Sequence, residues 1–266
     1  MYRFNYHKPT DLTEALGLFQ NADDPMYLSG GMTLIPTMKQ RLAAPTDLID
    51  LSGIAELSGI SVADGTVRIG GFTRHNEVAD SAQIAASVPV LCGLASEIGD
   101  NQVRNRGTMG GSVANSDPAA DYPAAVVGLG ATVVTQSREI AGDDFFKDLF
   151  ETDLQPGEII TRIDFPVARR AAYCKFPNPA SRYAVVGVLV AEFDDGVRVG
   201  VTGAGPCAFR ATGIEDVLNG DLNPEVIDKV EVPDAGFNSD LHASAEYRAH
   251  LVKVMAARAT EKLLAQ

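Results

Sequence analysis

Two glycine doublets are the runs of this chain best suited to chemistry, Ser29-Gly30-Gly31-Met32-Thr33 and Arg106-Gly107-Thr108-Met109-Gly110-Gly111-Ser112. A diphosphate needs several N–H donors at close range. Glycine lets the backbone turn with φ > 0 and approach an anion without a Cβ in the way. Each run therefore reads as a backbone anion site, and each run alone reads equally as an ordinary glycine turn. The helix expected after the first doublet would add the positive end of its dipole. Backbone donors matter here because Lys and Arg number 22 against 35 Asp and Glu, a net charge of −13. The same balance makes nucleic acid and anionic membrane poor partners.

Other phosphate and redox motifs can be tested directly. No G-x-x-x-x-G-K-[ST] run exists, so the common P-loop is absent. Gly203-Ala-Gly205-Pro-Cys-Ala208 fits G-x-G-x-x-A after a strand. That strand is the second arm of an expected hairpin, Pro206 sits in the turn, and no strand ending in an acidic residue follows at the right distance, so the match reads as chance. Cys92, Cys174 and Cys207 are too few and too scattered for a disulfide framework or an iron–sulfur cluster, and they read as buried free thiols. His7, His75, His242 and His250 show no ligand spacing, so no metal is expected in this chain.

The elements that must position the doublets follow from hydrophobic period and turn chemistry. Thr10 or Asp11 caps a helix with Leu12, Ala15, Leu16 and Phe19 at helical spacing. Tyr27-Leu28 reads as a strand running into the first doublet, with a helix over Leu34 to Arg41 after it. A second strand is expected at Leu48 to Leu51, and Asp64-Gly65 suits a tight hairpin between Ile60-Val62 and Val67-Ile69. Asn76 to Ile98 is helical with breaks near Ser81 and Pro89, whereas Gly99 to Asp121 reads as a long, turn-rich functional loop. Then come a helix at Ala124 to Leu129, a strand at Ala131 to Thr135, a short helix at Phe145 to Phe150 and a strand at Glu158 to Phe165. Strands at Tyr183 to Phe193 and Val197 to Thr202 join through Asp195-Gly196, with helices near Ile214 to Leu218, Pro224 to Val230 and Ala243 to Ala265. This order argues an α+β fold with a domain boundary near residue 170. A length of 266 residues suits two domains.

Gln102-Val-Arg-Asn-Arg-Gly-Thr-Met-Gly-Gly-Ser-Val-Ala-Asn-Ser-Asp-Pro-Ala-Ala-Asp-Tyr-Pro123 closely resembles the second FAD loop of the medium, flavoprotein subunits of molybdenum hydroxylases. Leu28-Ser-Gly-Gly-Met-Thr-Leu-Ile-Pro36 resembles the first FAD loop of that family. Pro179-Ala-Ser-Arg-Tyr-Ala-Val-Val-Gly-Val188 and Ala243-Ser-Ala-Glu-Tyr-Arg-Ala-His-Leu251 resemble its C-terminal domain. The resemblance covers essentially the whole chain and is strongest to the carbon monoxide dehydrogenase type of the carbon monoxide/xanthine dehydrogenase family. It implies a two-part FAD-binding domain of the PCMH/vanillyl-alcohol-oxidase type over residues 1–170, in parts of about 1–56 and 57–170. A small C-terminal domain over 171–266, with an antiparallel sheet and a helical bundle, would follow.

The resemblance also implies site residues. Ser29, Gly30, Gly31, Met32 and Thr33, with Thr108, Met109, Gly110, Gly111 and Ser112, would wrap the FAD diphosphate through N–H groups and the Thr33 and Thr108 hydroxyls. Asn115 lies in the same motif. Asp121 would accept hydrogen bonds from sugar hydroxyls, its other reading being a helix N-cap before Pro123. Ile160 and Lys175 align with residues that approach the flavin, with Tyr183 close by. Lys175 would favour the negatively charged reduced flavin, or else it is a surface lysine. Asn178-Pro-Ala-Ser-Arg182 departs from the Arg-Arg-x-Gly-Asp type sequence of many relatives, which leaves the preferred electron acceptor open.

No catalytic acid–base pair is demanded of such a chain. Molybdenum cofactor on a large subunit and two [2Fe-2S] clusters on a small subunit would complete a dimer of heterotrimers that reduces an external acceptor. Two rival readings are a self-contained FAD-dependent reductase and a scaffold subunit that has lost FAD. With no signal-like N-terminus and no apolar run near the roughly 18 residues that span a bilayer, a cytoplasmic protein is expected.

Overall fold

A computed structural model describes residues 1–266. The first lobe contains β1 (Asn5–His7), α1 (Leu12–Gln20), β2 (Pro25–Leu28), α2 (Leu34–Lys39) and β3 (Asp47–Asp50). Its strands form a small parallel sheet in the order β1-β3-β2. Asp11 caps α1 by accepting from the Glu14 N–H at 2.8 Å. The buried face of this lobe, Ala15, Ile49, Leu51, Ile54 and Leu57, closes on Ile159. β1 was not expected from the sequence; its three residues are polar and exposed or half-buried, and only pairing with β3 makes them a strand.

The second lobe starts with the hairpin β4 (Ile60–Ala63) and β5 (Thr66–Gly70). Asp64 and Gly65 take φ of 52° and 69°, the pair of positive values that a two-residue hairpin turn requires. Helices α3 (His75–Ala79), α4 (Ala82–Ser87), α5 (Pro89–Ser96), α6 (Asn101–Arg106), α7 (Met109–Asn115) and α8 (Tyr122–Gly128) come next. The remainder is β6 (Thr132–Thr135), β7 (Glu139–Ala141), α9 (Gly142–Phe145), β8 (Phe146–Asp148), β9 (Glu151–Thr152) and β10 (Ile160–Pro166). An antiparallel sheet in the order β4-β5-β10-β6-β7 backs the helices.

Two expectations are corrected here. The stretch Gly99 to Asp121 is no open loop, because Asp100 and Thr108 cap α6 and α7 within it, accepting from the N–H groups of Val103 and Gly111. Phe145 to Phe150 is not a helix. Phe145 and Phe146 both turn into the core with their rings edge to face, and the chain then extends into β8, leaving Leu149 and Phe150 exposed.

The C-terminal part comprises β11 (Arg170–Pro177), β12 (Ala184–Phe193), β13 (Gly196–Thr202), β14 (Phe209–Arg210), α10 (Thr212–Gly220), a 3₁₀ turn over Pro224–Lys229 and α11 (Ala245–Leu264). Its antiparallel sheet runs β11-β12-β13-β14. β12 is buried on both faces. Leu189 and Ala191 join the core of the second lobe, while Val186, Val188 and Val190 join that of α11, as the two-residue period of a strand demands. α8 approaches β13 so closely that a Cβ on Gly128 would lie 3.1 Å from the Gly200 nitrogen. β11 escaped the sequence reading. Its residues are mostly poor strand formers, and pairing with β12 overrides that preference. β13 is antiparallel to β12, so the glycines from Gly203 lie in a connection to β14 and not at the mouth of a parallel nucleotide-binding unit.

Candidate functional site

The two doublets meet at one cleft of about 470 Å³, within the usual size of small-molecule sites. The first doublet leaves β2 and enters α2, with Gly31 at φ +73°. No protein acceptor takes the N–H groups of Ser29, Gly30, Gly31, Met32 or Thr33, and all five residues line the cleft. Five consecutive free donors in one concave turn can serve as an anion cradle. Arg182 is the one permanently cationic residue of the lining, so most neutralisation of an anion would fall to the backbone.

The second doublet supports this cradle more than it duplicates it. Thr108 Oγ1 caps α7 and hydrogen-bonds Ser29 Oγ across 2.7 Å. The Thr108 N–H is free, but the N–H of Met109 donates to Thr73 O and that of Gly110 to Gly71 O. Met109 is therefore corrected as a contact: its side chain is fully buried in the core and does not line the cleft. Gly110 and Gly111 have helical backbone, and positive φ is not what they supply. A Cβ on Gly110 would lie 2.7 Å from Gly71 O, whereas one on Gly111 would lie 2.7 Å from Thr108 Oγ1 and 3.4 Å from Ser29 Cβ. Gly110 thus lets α7 sit on the β5 end, and Gly111 keeps the two hydroxyls together. Gly111, Ser112 and Asn115 face the cleft from one side of α7.

Asp121 and Lys175 form a buried pair, each side chain only 4% exposed. Asp121 occupies the N-cap position of α8 but makes no capping bond, so the capping reading is corrected. Its Oδ1 accepts instead from Tyr173 OH at 2.6 Å and from Lys175 Nζ at 3.0 Å. Burial raises this carboxyl to about 6, against the downward pull of Lys175 and Tyr173. Lys175 is not a surface lysine. Its ammonium also donates to the carbonyls of Glu97 and Arg182, which uses all three N–H bonds, and it does not reach the cleft wall.

Ile160 lines the cleft at the start of β10, and Glu158 just before it is held by Arg138. That clamp, with the Gln155 N–H and the Ser137 hydroxyl, takes the Glu158 carboxyl down to about 2. Sequence reasoning missed several lining residues, among them Ile98, Asp117 and Arg182. Asp117 lies inside the quoted motif, and its mostly buried carboxyl is raised by desolvation. Cys92, Cys174 and Cys207 are unpaired and half-buried, with thiols pushed up by burial.

The cleft fits FAD on its own observations: an orphaned run of N–H donors for a diphosphate, polar groups beside it, and an apolar wall including Leu57, Phe72 and Ile160 for flat rings. Comparison with known proteins agrees. Residues 2–168 match the FAD binding domain in molybdopterin dehydrogenase, and residues 171–263 match the CO dehydrogenase flavoprotein C-terminal domain. The glyceraldehyde dehydrogenase medium chain of Sulfolobus acidocaldarius is 32% identical, with 98% of each chain covered. The carbon monoxide dehydrogenase medium chain of Afipia carboxidovorans is 33% identical over 99% of this chain and 97% of its own. A crystal structure of Cu,Mo-CO dehydrogenase in its cyanide-inactivated form superposes with a TM-score of 0.93 at 32% identity, covering 100% of this chain and 99% of the other. The chain belongs to the family of FAD-binding medium subunits of molybdenum hydroxylase-type oxidoreductases.

Proposed function

We propose that this chain is the electron-transfer subunit of a molybdenum hydroxylase. It takes electrons from two [2Fe-2S] clusters on a small partner subunit and passes them to an external acceptor, while a large subunit with molybdenum cofactor oxidises the substrate. The carrying observation is the run of free N–H groups from Ser29 to Thr33 opposite Thr108. Those groups, with the side chains of Ser112 and Asn115, would hold the FAD diphosphate and its neighbouring sugar, and Gly110 and Gly111, whose own N–H groups are taken, would keep the space beside them open. Asp121 would hold a hydroxyl or ring N–H of the cofactor, and Ile160 with Tyr183 would flank its ring system. Lys175 would act through Asp121. Bound FAD supplies the redox chemistry, and the protein binds it, orients it and keeps water from its buried side.

The assembly read from the family is a dimer of heterotrimers. Medium chains of named multi-subunit dehydrogenases align over nearly their whole length, which supports that reading. No helix is long and apolar enough to cross a membrane, and we place the complex in the cytoplasm. Purification through a tag on this chain should recover two further subunits, with FAD, iron and molybdenum in the complex and FAD alone on the separated chain. FMN, no flavin, or stoichiometric iron on the separated chain would overturn the proposal.

A further inference from the structure

We infer that Tyr173 is a positioning residue for the cofactor: together with Lys175 it occupies one oxygen of the Asp121 carboxylate and leaves the other as a fixed acceptor at the cleft wall. This rests on the reading of the cleft as the FAD site. Both donors converge on Oδ1, at 2.6 Å from the phenol and 3.0 Å from the ammonium, whereas Oδ2 has no partner in the protein. Oδ2 is not sealed in the core, since Asp121 lines the cleft. A carboxylate held twice through one oxygen cannot rotate, so its second oxygen keeps one direction.

The fold reserves room for the phenol. Tyr173 and Lys175 lie two apart on β11 and so share a face of the strand. β12 passes beside them with Gly187 paired to Lys175. A Cβ at Gly187 would run into the Tyr173 hydroxyl and lie 2.9 Å from Cζ. Tyr173 is 3% exposed, and Asp121 is the one partner of its hydroxyl. Phenylalanine would fill the same core space without the cost of burying that hydroxyl, so the hydroxyl's use lies in its bond to Asp121. Because Asp121 belongs to the second lobe and both donors to the C-terminal sheet, docking of that sheet sets the direction of a cofactor contact.

The protonation of Asp121 supplies an independent readout. The groups facing it are Lys175 and Tyr173 from β11, Glu97 after α5, Tyr122 in α8, and Tyr183 at the cleft. Since Oδ1 already accepts twice, an added proton belongs on Oδ2, where it converts the acceptor facing the cofactor into a donor. The Tyr173 hydroxyl lowers the pKa of Asp121, so removing it moves that protonation to higher pH.

The native complex, recovered through this chain and depleted of flavin, is titrated with FAD between pH 5 and pH 9 for wild type, Tyr173→Phe, Gly187→Ala and the double variant. Tyr173→Phe should weaken FAD binding roughly tenfold at pH 7, move the acid limb of the affinity profile toward neutral pH, and keep the circular dichroism of wild type. Gly187→Ala, which displaces the hydroxyl without lining the cleft, should reproduce both changes, and the double variant should be no worse than Gly187→Ala alone. Wild-type affinity in Tyr173→Phe, or weaker binding with an unmoved acid limb, would overturn the inference while leaving the FAD site intact. No FAD uptake by wild type would overturn the site and the inference together.

Discussion

Ser29 Oγ and Thr108 Oγ1 lie 2.7 Å apart although 79 residues separate them in the chain. One hydroxyl directly follows a strand of the first lobe and the other caps a helix of the second, so this bond closes the cleft at the point where the backbone donors gather. The lobes also touch through backbone there. A Cβ on Gly30 would lie 2.7 Å from Gly107 Cα.

The two glycines of the second doublet should therefore separate in mutation. Gly111→Val pushes against Thr108 Oγ1 and Ser29, side-chain groups that can yield, and should lose FAD while keeping the fold. Gly110→Val drives a branched side chain into the Gly71 backbone and should destabilise the second lobe by about 1–3 kcal/mol or more. Thermal melts and flavin occupancy distinguish them. Equal melting temperatures with full flavin in both variants would reduce the second doublet to a turn.

At Gly31 the constraint is conformational, because φ is +73°. Asparagine tolerates this left-handed region better than other residues, whereas a β-branched residue is strained by at least about 1–2 kcal/mol. Gly31→Asn should keep measurable FAD binding, and Gly31→Val should abolish it. Calorimetric titration of both variants checks the order, and the reverse order would exclude positive φ as the requirement.

How much of this was legible follows from these positions. The doublets and the tight Asp64-Gly65 turn announce themselves through residue types that a local conformation or a ligand demands, whereas Asp121 comes only with the family resemblance. What the doublets do differently did not show in the sequence. Gly30 serves a lobe contact, Gly110 a helix seat on Gly71, and Gly31 a turn, and only the neighbours across space distinguish them. Lys175 reads as a flavin contact or a surface lysine; it is no surface lysine, and its three acceptors, from residues 97, 121 and 182, hold it behind the cleft lining. Likewise β11 is a strand by virtue of β12, which no local propensity encodes.

His75 should make the apo fold acid-sensitive. Burial, with the nearby Arg104 charge, lowers its imidazole to about 4 from an ordinary 6.5, and its Nδ1 has no partner in the core. An unfolded chain binds this proton near pH 6.5 while the folded one refuses it until about pH 4. Stability is thus complete above pH 6.5 and falls as the pH drops through that window, by about 3 kcal/mol for this one group. His75→Leu should remove this share. Urea unfolding of both proteins at pH 7 and pH 4 measures it, and an identical pH dependence in the two would place the acid sensitivity elsewhere.

Lys175 and Asp121 offer the sharpest energetic test, because the pair is buried, joins two parts of the fold and has a defined valence. Lys175→Met keeps the length and apolar stem of the side chain but removes the charge that pulls the Asp121 carboxyl down, leaving that buried acid unpaired and driven toward its protonated form beside Tyr173, along with two carbonyls lacking their ammonium donor. Breaking a buried pair on one side costs about 3–5 kcal/mol through the unpaired buried groups left behind. Asp121→Asn added to Lys175→Met replaces the unpaired acid by a neutral amide and should recover a large part of the loss, although FAD retention should stay low in every variant that lacks the carboxylate. A double-mutant cycle from denaturant unfolding gives the coupling directly. Additive losses would mean that the two groups do not see each other across 3.0 Å. Wild-type FAD binding in the double variant would show that the cofactor is held without Asp121.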